Sequence, residues 1–445
     1  MTWERIFGLA AALPGYTRRE LVGDAIAGVI TAILLVPQGI AFAMLAGLPP
    51  QAGLYASILP MMVYALFGTS RTLSVGPVSV AAIMVASALA APEMKNNGGQ
   101  IGNAAILALE GGLLLIAFSA LRLGALVNLI SQPVLSGFSS GAAILIILSQ
   151  FPHLVGATPT DQHSGLEALR DLPNYLRQIN AATLAIGFCS VIALAWFNHP
   201  IGQWLHRLGV KTEVVTALSR LGPLFVVIAT ALAVVQFDLS GSQQVDIVGH
   251  VPSGLPSLSS SFLKTSNWLT LAPSALFIAL IGYVESIAIA KTLAIRHHET
   301  IYANRELFAL GCANVAAAFS GTMPVAGGFS RTMVNYAAGA RTQVAAIVTA
   351  LIIALAVALF ASWFMNIPKA ALAAIIIVAI IPLVNIRTLS ILWHANRLDA
   401  LTLLATFFGV LLWGIEEGLT LGIGVSLLMR LRRGSRHDAA GTIDV

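Results

Sequence analysis

The sequence predicts an all-α polytopic membrane protein, with fourteen membrane elements arranged as two inverted repeats of seven. Three observations predict it. The 445 residues are 57% hydrophobic and only 10% charged, with a mean hydropathy of +0.86, whereas soluble domains carry about 25% charged residues. Ala25 to Ser70, Leu123 to Thr160, Leu307 to Ser330 and Thr342 to Pro368 contain no Asp, Glu, Lys or Arg. A helix needs about 20 apolar residues to cross the hydrocarbon core, and these runs are too extended for the alternating pattern of a membrane β-barrel. Lastly, a Pro/Gly break interrupts each half of the chain, at Leu73-Ser74-Val75-Gly76-Pro77 and at Met323-Pro324-Val325-Ala326-Gly327-Gly328-Phe329.

The elements follow in order. The first, 24–46, ends at Gly47-Leu48-Pro49-Pro50, and the second, 53–68, completes the first charge-free run. The third, 78–91, follows the first break and is too short to cross alone, so it is a half-helix starting near mid-membrane. Elements at 101–120, 125–150, 180–197 and 216–236 complete the first half. The second half opens with 270–294 and 303–319. Then comes 330–340, a second half-helix behind the second break. Elements at 343–365, 369–384, 398–413 and 415–432 close it. Each half-helix is preceded by a short extended segment.

Lys and Arg set the orientation. Arg5, Arg18 and Arg19 precede the first span, Arg430, Arg432, Arg433 and Arg436 follow the last, and Arg207, Lys211, Arg387 and Arg397 fall between spans on the same side. Both termini are then cytoplasmic. Asp238 to Trp268 is rich in Ser, Gly and Pro and separates seven elements from seven, so the second half enters from the opposite face. The expected organisation is a cytoplasmic segment at 1–23, a first repeat at 24–237, an extracellular linker at 238–269, a second repeat at 270–432 and a cytoplasmic tail at 433–445. Phe67-Gly68-Thr69 before the first break is echoed by Phe319-Ser320-Gly321-Thr322 before the second.

Composition also excludes functions. The net charge of +5 comes from cations between spans, and no tract reads as a nucleic-acid surface. Cys189 and Cys312 lie in apolar runs and read as packing residues, with no disulfide and no metal site. There is no HExxH, GxSxG or P-loop, so no enzyme, no ATP-driven pump and no cofactor is expected. Ile6 to Leu13 reads as an interfacial helix, and no cleavable signal peptide is evident.

Two broken segments in matching places of two halves point to a carrier's midplane site. Arg331 sits at the second break, where arginine costs about 2.5–3.5 kcal/mol on insertion scales. Half-helix N-termini favour anions, so an anion beside Arg331 satisfies both. Free backbone N–H groups at Gly76, Val78, Phe329 and Ser330 are expected donors. The competing reading is a structural arginine bonded to carbonyls. Glu285 lies in the otherwise apolar stretch Ile278 to Ala290 with Tyr283 and Ser286. It is a candidate proton carrier or gate, or alternatively a fixed partner for Arg331. Gln38 and Phe42 are four apart on one helix face, with Thr31 and Asp24 continuing the stripe; interhelical hydrogen bonding is the alternative. Arg71 reads as an anchor and His297-His298 as a solvated helix end. Gly418 and Gly422 read as close helix packing.

These residues resemble the SulP, or sulfate permease, family of anion transporters. The resemblance is dense from Val36-Pro37-Gln38-Gly39-Ile40-Ala41-Phe42 to Leu48-Pro49-Pro50, through Gly53-Leu54-Tyr55-Ala56-Ser57, and across Phe67 to Val78. It returns at Gly282-Tyr283-Val284-Glu285-Ser286 and at Gly328-Phe329-Ser330-Arg331-Thr332. It implies core and gate domains and an anion site between elements three and ten. The implied substrate-binding positions are Gln38, Phe42, Gly76, Pro77, Val78, Phe329, Ser330 and Arg331. Several members have an aromatic where this chain has Val78. Glu285 matches an acidic position linked to proton coupling. The resemblance further implies a homodimer in a bacterial inner membrane and elevator-like motion. Family members carry a STAS domain after the last span. This chain ends at Val445, 12 residues after Arg433, and is expected to lack it. The expected function is proton-coupled symport of a small anion such as sulfate, bicarbonate or fumarate. The alternatives are a nucleobase–proton symporter of the same fold and an uncoupled anion exchanger or channel.

Overall fold

The structure is a computed structural model and describes residues 9, 15–90, 94, 99–124, 131–160, 165–198, 221–252, 254–264, 266–297, 299–384 and 386–440. The expectations for Ile6 to Leu13, 125–130, Arg207, Lys211, 216–220 and His298 lie outside these residues.

The first half comprises α1 (Arg18–Leu45), α2 (Pro50–Tyr55), α3 (Leu59–Phe67), β1 (Val75–Gly76), α4 (Ser79–Leu89), α5 (Gly99–Ala120), α6 (Gln132–Val155), α7 (Gly165–Arg177), α8 (Ala181–Asn198) and α9 (Gly222–Gln236). The second half comprises α10 (Trp268–His297), α11 (Ala303–Phe319), β2 (Ala326–Gly327), α12 (Phe329–Ala337), α13 (Val344–Phe360), α14 (Lys369–Ile380), α15 (Ile386–Ala395), α16 (Arg397–Trp413) and α17 (Ile415–Ala440). Among the described residues, seven helical segments are long and apolar enough to cross a membrane: Arg18–Leu45, Pro50–Phe67, Gly99–Ala120, Gln132–Val155, Trp268–Ala294, Val344–Asn366 and Lys369–Ala395.

All fourteen expected elements have a helical counterpart, with four differences. The second is split at Ala56–Ile58, because Pro60 lacks the N–H that would continue the helix. Two helices of ten residues or more were not expected, α7 and α15. The last helix continues past 432 to Ala440.

Packing sorts the helices into two bundles. In one, α1 packs on α13, and α5 and α3 on α11. Glycines set the approach: a Cβ on Gly28 would lie 2.6 Å from Val348 Cγ1, and one on Gly311 would lie 2.8 Å from the Gly112 carbonyl oxygen. In the other, α6, α8, α14, α16 and α17 pack together. Here a Cβ on Gly137 would lie 2.3 Å from the Leu403 carbonyl oxygen. Gly418 and Gly422 meet α16 with equally little room, at Val410 and Thr406, as the GxxxG reading expected. Both described cysteines are free. Cys312 is partly buried, but Cys189 is exposed, so its packing role is corrected.

Candidate functional site

The two breaks meet. Val75 pairs with Gly327 and Gly76 with Ala326 in an antiparallel two-residue ribbon. Extended backbone so short has few internal hydrogen bonds, and inside a bilayer its remaining polar groups must find protein partners. They find them in side chains. Asn314 Nδ2 donates to the Val325 oxygen and its Oδ1 accepts the Val325 N–H. Thr332 Oγ1 accepts the Ser74 N–H, and Asn335 Nδ2 donates to the Thr72 oxygen at 2.9 Å. Gln343 Nε2 donates to the oxygens of Ser70 and Leu73.

Each strand runs into a half-helix. Their N-caps, Val78 and Gly328, provide no side-chain cap. The first bond within α4 is Ala82 N–H to the Val78 oxygen, and within α12 Thr332 N–H to the Gly328 oxygen. The N–H groups of Ser79, Val80 and Ala81, and of Phe329, Ser330 and Arg331, precede those bonds and have no intrahelical acceptor. The antiparallel ribbon joins the two stretches that lead into these N-termini, one helix leaving from each end of it. Phe329 is 53% exposed and Ser330 is exposed, so the first turn of α12 borders open space.

Arg331 is buried at 2% exposure and folds back across the ribbon. Its Nε donates to the Ser74 oxygen at 3.1 Å, Nη1 to the Pro77 oxygen, and Nη2 to the Ala326 oxygen at 2.9 Å. Three of the five guanidinium N–H groups are thereby used. The carbonyl-bonded arginine raised as the competing reading is what the structure contains. Pro77 supplies one of the three acceptors, and a Cβ added at Gly76 would meet Nη2 at 3.5 Å, an ordinary contact. A Cβ on Gly328 would sit 2.8 Å from the arginine Cζ.

Around this point stand the other expected residues. Helix α1 contacts both α4 and α12. Its Gln38 is 5% exposed and makes no hydrogen bond to a described residue. Pro37 precedes it inside the helix and cannot donate to the Ile33 carbonyl, which loosens α1 at that turn. Phe42, at 7% exposed, and Val78, at 4%, are buried with the apolar core. From α10, Ser286 Oγ accepts the Gly327 N–H at 2.7 Å and ties that helix to the ribbon. Glu285, the preceding residue, is half-buried and feels the Arg331 charge. It forms no ion pair or hydrogen bond with a described residue.

The remainder of the predicted stripe is corrected. Asp24 is fully buried and hydrogen-bonded: it accepts from the Arg341 and Thr342 N–H groups and from Tyr16 Oη. Thr31 faces Asn335 at 3.5 Å. Arg71 makes a surface ion pair with Glu299 at 3.7 Å. Glu306, unremarked in the sequence, is also fully buried. It accepts from Tyr64 Oη at 2.8 Å, the Thr69 N–H at 2.6 Å, Thr69 Oγ1 and the Ser70 N–H, and so anchors the first break to α11. Its only sequence signal is the Phe67-Gly68-Thr69 echo.

A ribbon-linked pair of half-helices in a chain whose helices sort into two bundles defines a polytopic membrane protein of the inverted-repeat, core-and-gate class. Within that class the chain belongs to the sulfate permease family, which residues 21–406 match. It is 34% identical to the chloroplastic sulfate transporter 4.1 of Arabidopsis thaliana over 91% of this chain and 57% of that protein. It therefore spans little more than half the length of that relative. A probable sulfate transporter of Mycobacterium tuberculosis is 33% identical over 95% of this chain and 73% of its own length. The fold is similar to murine Solute Carrier 26 family member A9, an anion transporter in the inward-facing state, with TM-score 0.87 and 24% identity over 96% of this chain and 71% of that one. It is also similar to the transmembrane domain of the cyanobacterium bicarbonate transporter BicA, with TM-score 0.74 and 22% identity over 93% and 98%.

Proposed function

We propose that the chain is a secondary active transporter of small anions, working as a proton symporter by elevator-like motion of the α1–α5 and α10–α13 core against the α6–α9 and α14–α17 gate. The observation that carries the reading is the pair of uncapped half-helix N-termini that follow the two strands of one ribbon, which a buried guanidinium bridges. Helix N-termini favour anions, and their N–H groups supply donors without any side chain. Gln38, Phe42, Gly76, Pro77, Val78, Phe329, Ser330 and Arg331 form the substrate site. Gln38 supports this as an almost buried amide without a hydrogen bond to a described residue. Glu285, partly open and without a hydrogen bond or ion pair to a described residue, is the proton carrier. The relatives' descriptions as sulfate and bicarbonate transporters make those anions the first candidates, with fumarate-type dicarboxylates beside them. Family membership leaves the nucleobase reading without support. We further place the chain in a bacterial inner membrane as a homodimer, with both termini cytoplasmic and repeats at 24–237 and 270–432.

The test is uptake of sulfate, bicarbonate, fumarate and uracil by purified protein in proteoliposomes, with and without an inward proton gradient. Saturable uptake of one anion, faster with the gradient, is expected. Movement of none of the anions would sink the carrier reading. Anion movement indifferent to the gradient would leave an uncoupled exchanger.

A further inference from the structure

Helix α1 borders a cavity of about 250 Å³ between core and gate, lined by Ala41, Met44, Gln150, His153, Lys369 and Leu372 among others. Ala41 follows Gln38 by three residues, about 4.5 Å along the helix, so the cavity begins one turn from the substrate site. A larger cavity of about 680 Å³ shares Met44, Gln150 and His153 and reaches the ends of α1, α4 and α6. In the proposed orientation these ends are extracellular.

Every titratable side chain among the described residues lining these cavities is basic: His153 on α6 and Lys369 at the start of α14. His153 makes no hydrogen bond to a described residue. Gln150 is 6% exposed, and its amide has one long hydrogen bond, 3.4 Å to Ser149 Oγ. Lys369 Nζ lies 3.4 Å from Asp246 Oδ2, and the Asp246 side chain is 72% exposed. So exposed a pair is weak, and a doubly charged anion competes with it. The Asp246 charge acts on His153 as well as on Lys369 and opposes an arriving anion.

We infer that His153, Lys369 and Gln150 form a second, outer site for a small oxyanion, on the gate side of the entrance, with Asp246 as the internal competitor for Lys369. This rests on the anion-carrier reading above. The site raises local anion concentration one step before the half-helix N-termini.

Side-chain changes here leave the fold's own links intact. Lys369 N–H donates to the Asp246 oxygen, and Val248 and Gly249 N–H donate to the oxygens of Ile367 and Met365, all through the main chain. In proteoliposomes, Lys369→Gln should raise the half-saturation concentration for external sulfate about two- to fivefold, and Asp246→Asn should lower it by a similar factor. Maximal rate should hold in both. Opposite signs would not arise from a purely structural pair. In parallel, external sulfate should protect Lys369 from a membrane-impermeant amine reagent, read by mass spectrometry against chloride at equal ionic strength. Unchanged half-saturation in both variants, or no protection, would overturn the outer site. Protection of Lys369 in a wild-type protein that moves no anion would keep the site and overturn the carrier reading.

Discussion

Arg331 decides how the candidate site works. On sequence grounds an anion relieves a buried arginine whose insertion costs about 2.5–3.5 kcal/mol. The structure supplies three carbonyl acceptors instead, and hydrogen bonds to charged groups contribute about 1.5–3 kcal/mol each. Those bonds outweigh the insertion cost, so the arginine is stable before any anion arrives. It holds the ribbon, and in the proposed site its charge would act on the anion as a consequence. Lysine keeps the charge but offers its donors from one nitrogen, which cannot span the oxygens of Ser74, Pro77 and Ala326. Arg331→Lys should therefore lower the thermal midpoint by several degrees and reduce anion affinity at least tenfold, in a fluorescence thermal-shift assay with and without sulfate. Wild-type stability in that variant would show that the three carbonyls do not need the guanidinium fork. Glu285 has the opposite character, since no described residue satisfies it. Glu285→Gln should remove the acceleration of uptake at low external pH while anion binding persists. An acceleration equal to wild type would assign the proton elsewhere.

The ribbon and its half-helices stand because a second shell of elements grips them. Glu306 on α11 collects two backbone N–H groups and two hydroxyls from α3 and the first break. An amide in its place presents one donor face to that set of donors, leaving buried groups unpaired at about 1–3 kcal/mol each. Glu306→Gln is expected to destabilise the protein clearly in detergent, and full expression with an unshifted melting curve would contradict that role. The half-helices were legible because Pro and Gly mark a break wherever it occurs, and Arg331 stood out as a charge in apolar surroundings. Glu306 was hidden by position: it sits beside Arg305 at the edge of a charge-free run, where charges ordinarily mark an interface. Asp24 was misread for the same reason. Helix α7 escaped because its buried face is built from Gly165, Ala168 and Tyr175, small or polar residues that hydropathy overlooks. What no spacing rule gives is the antiparallel ribbon itself, since its register depends on residues some 250 positions apart.

At the scale of the whole molecule, transport by an elevator requires the core to slide along the gate, and the cavity between α1 and α14 is a surface on which sliding can be blocked. Met44 of the core and Leu372 of the gate both line it, and neither belongs to the proposed substrate site. Packed interiors are close to incompressible, so motion at this interface must carry whole helices past one another. Met44→Cys with Leu372→Cys, in a background carrying Cys189→Ser and Cys312→Ala, offers two thiols across the cavity. Joining them with a short bis-maleimide should abolish uptake, while a cleavable linker of the same length should restore it once reduced. The uncross-linked double variant should transport at near the wild-type rate, which separates restraint from damage. Quantitative cross-linking with unchanged uptake would mean that α1 and α14 stay fixed during transport, and the moving boundary would then have to lie elsewhere in the molecule.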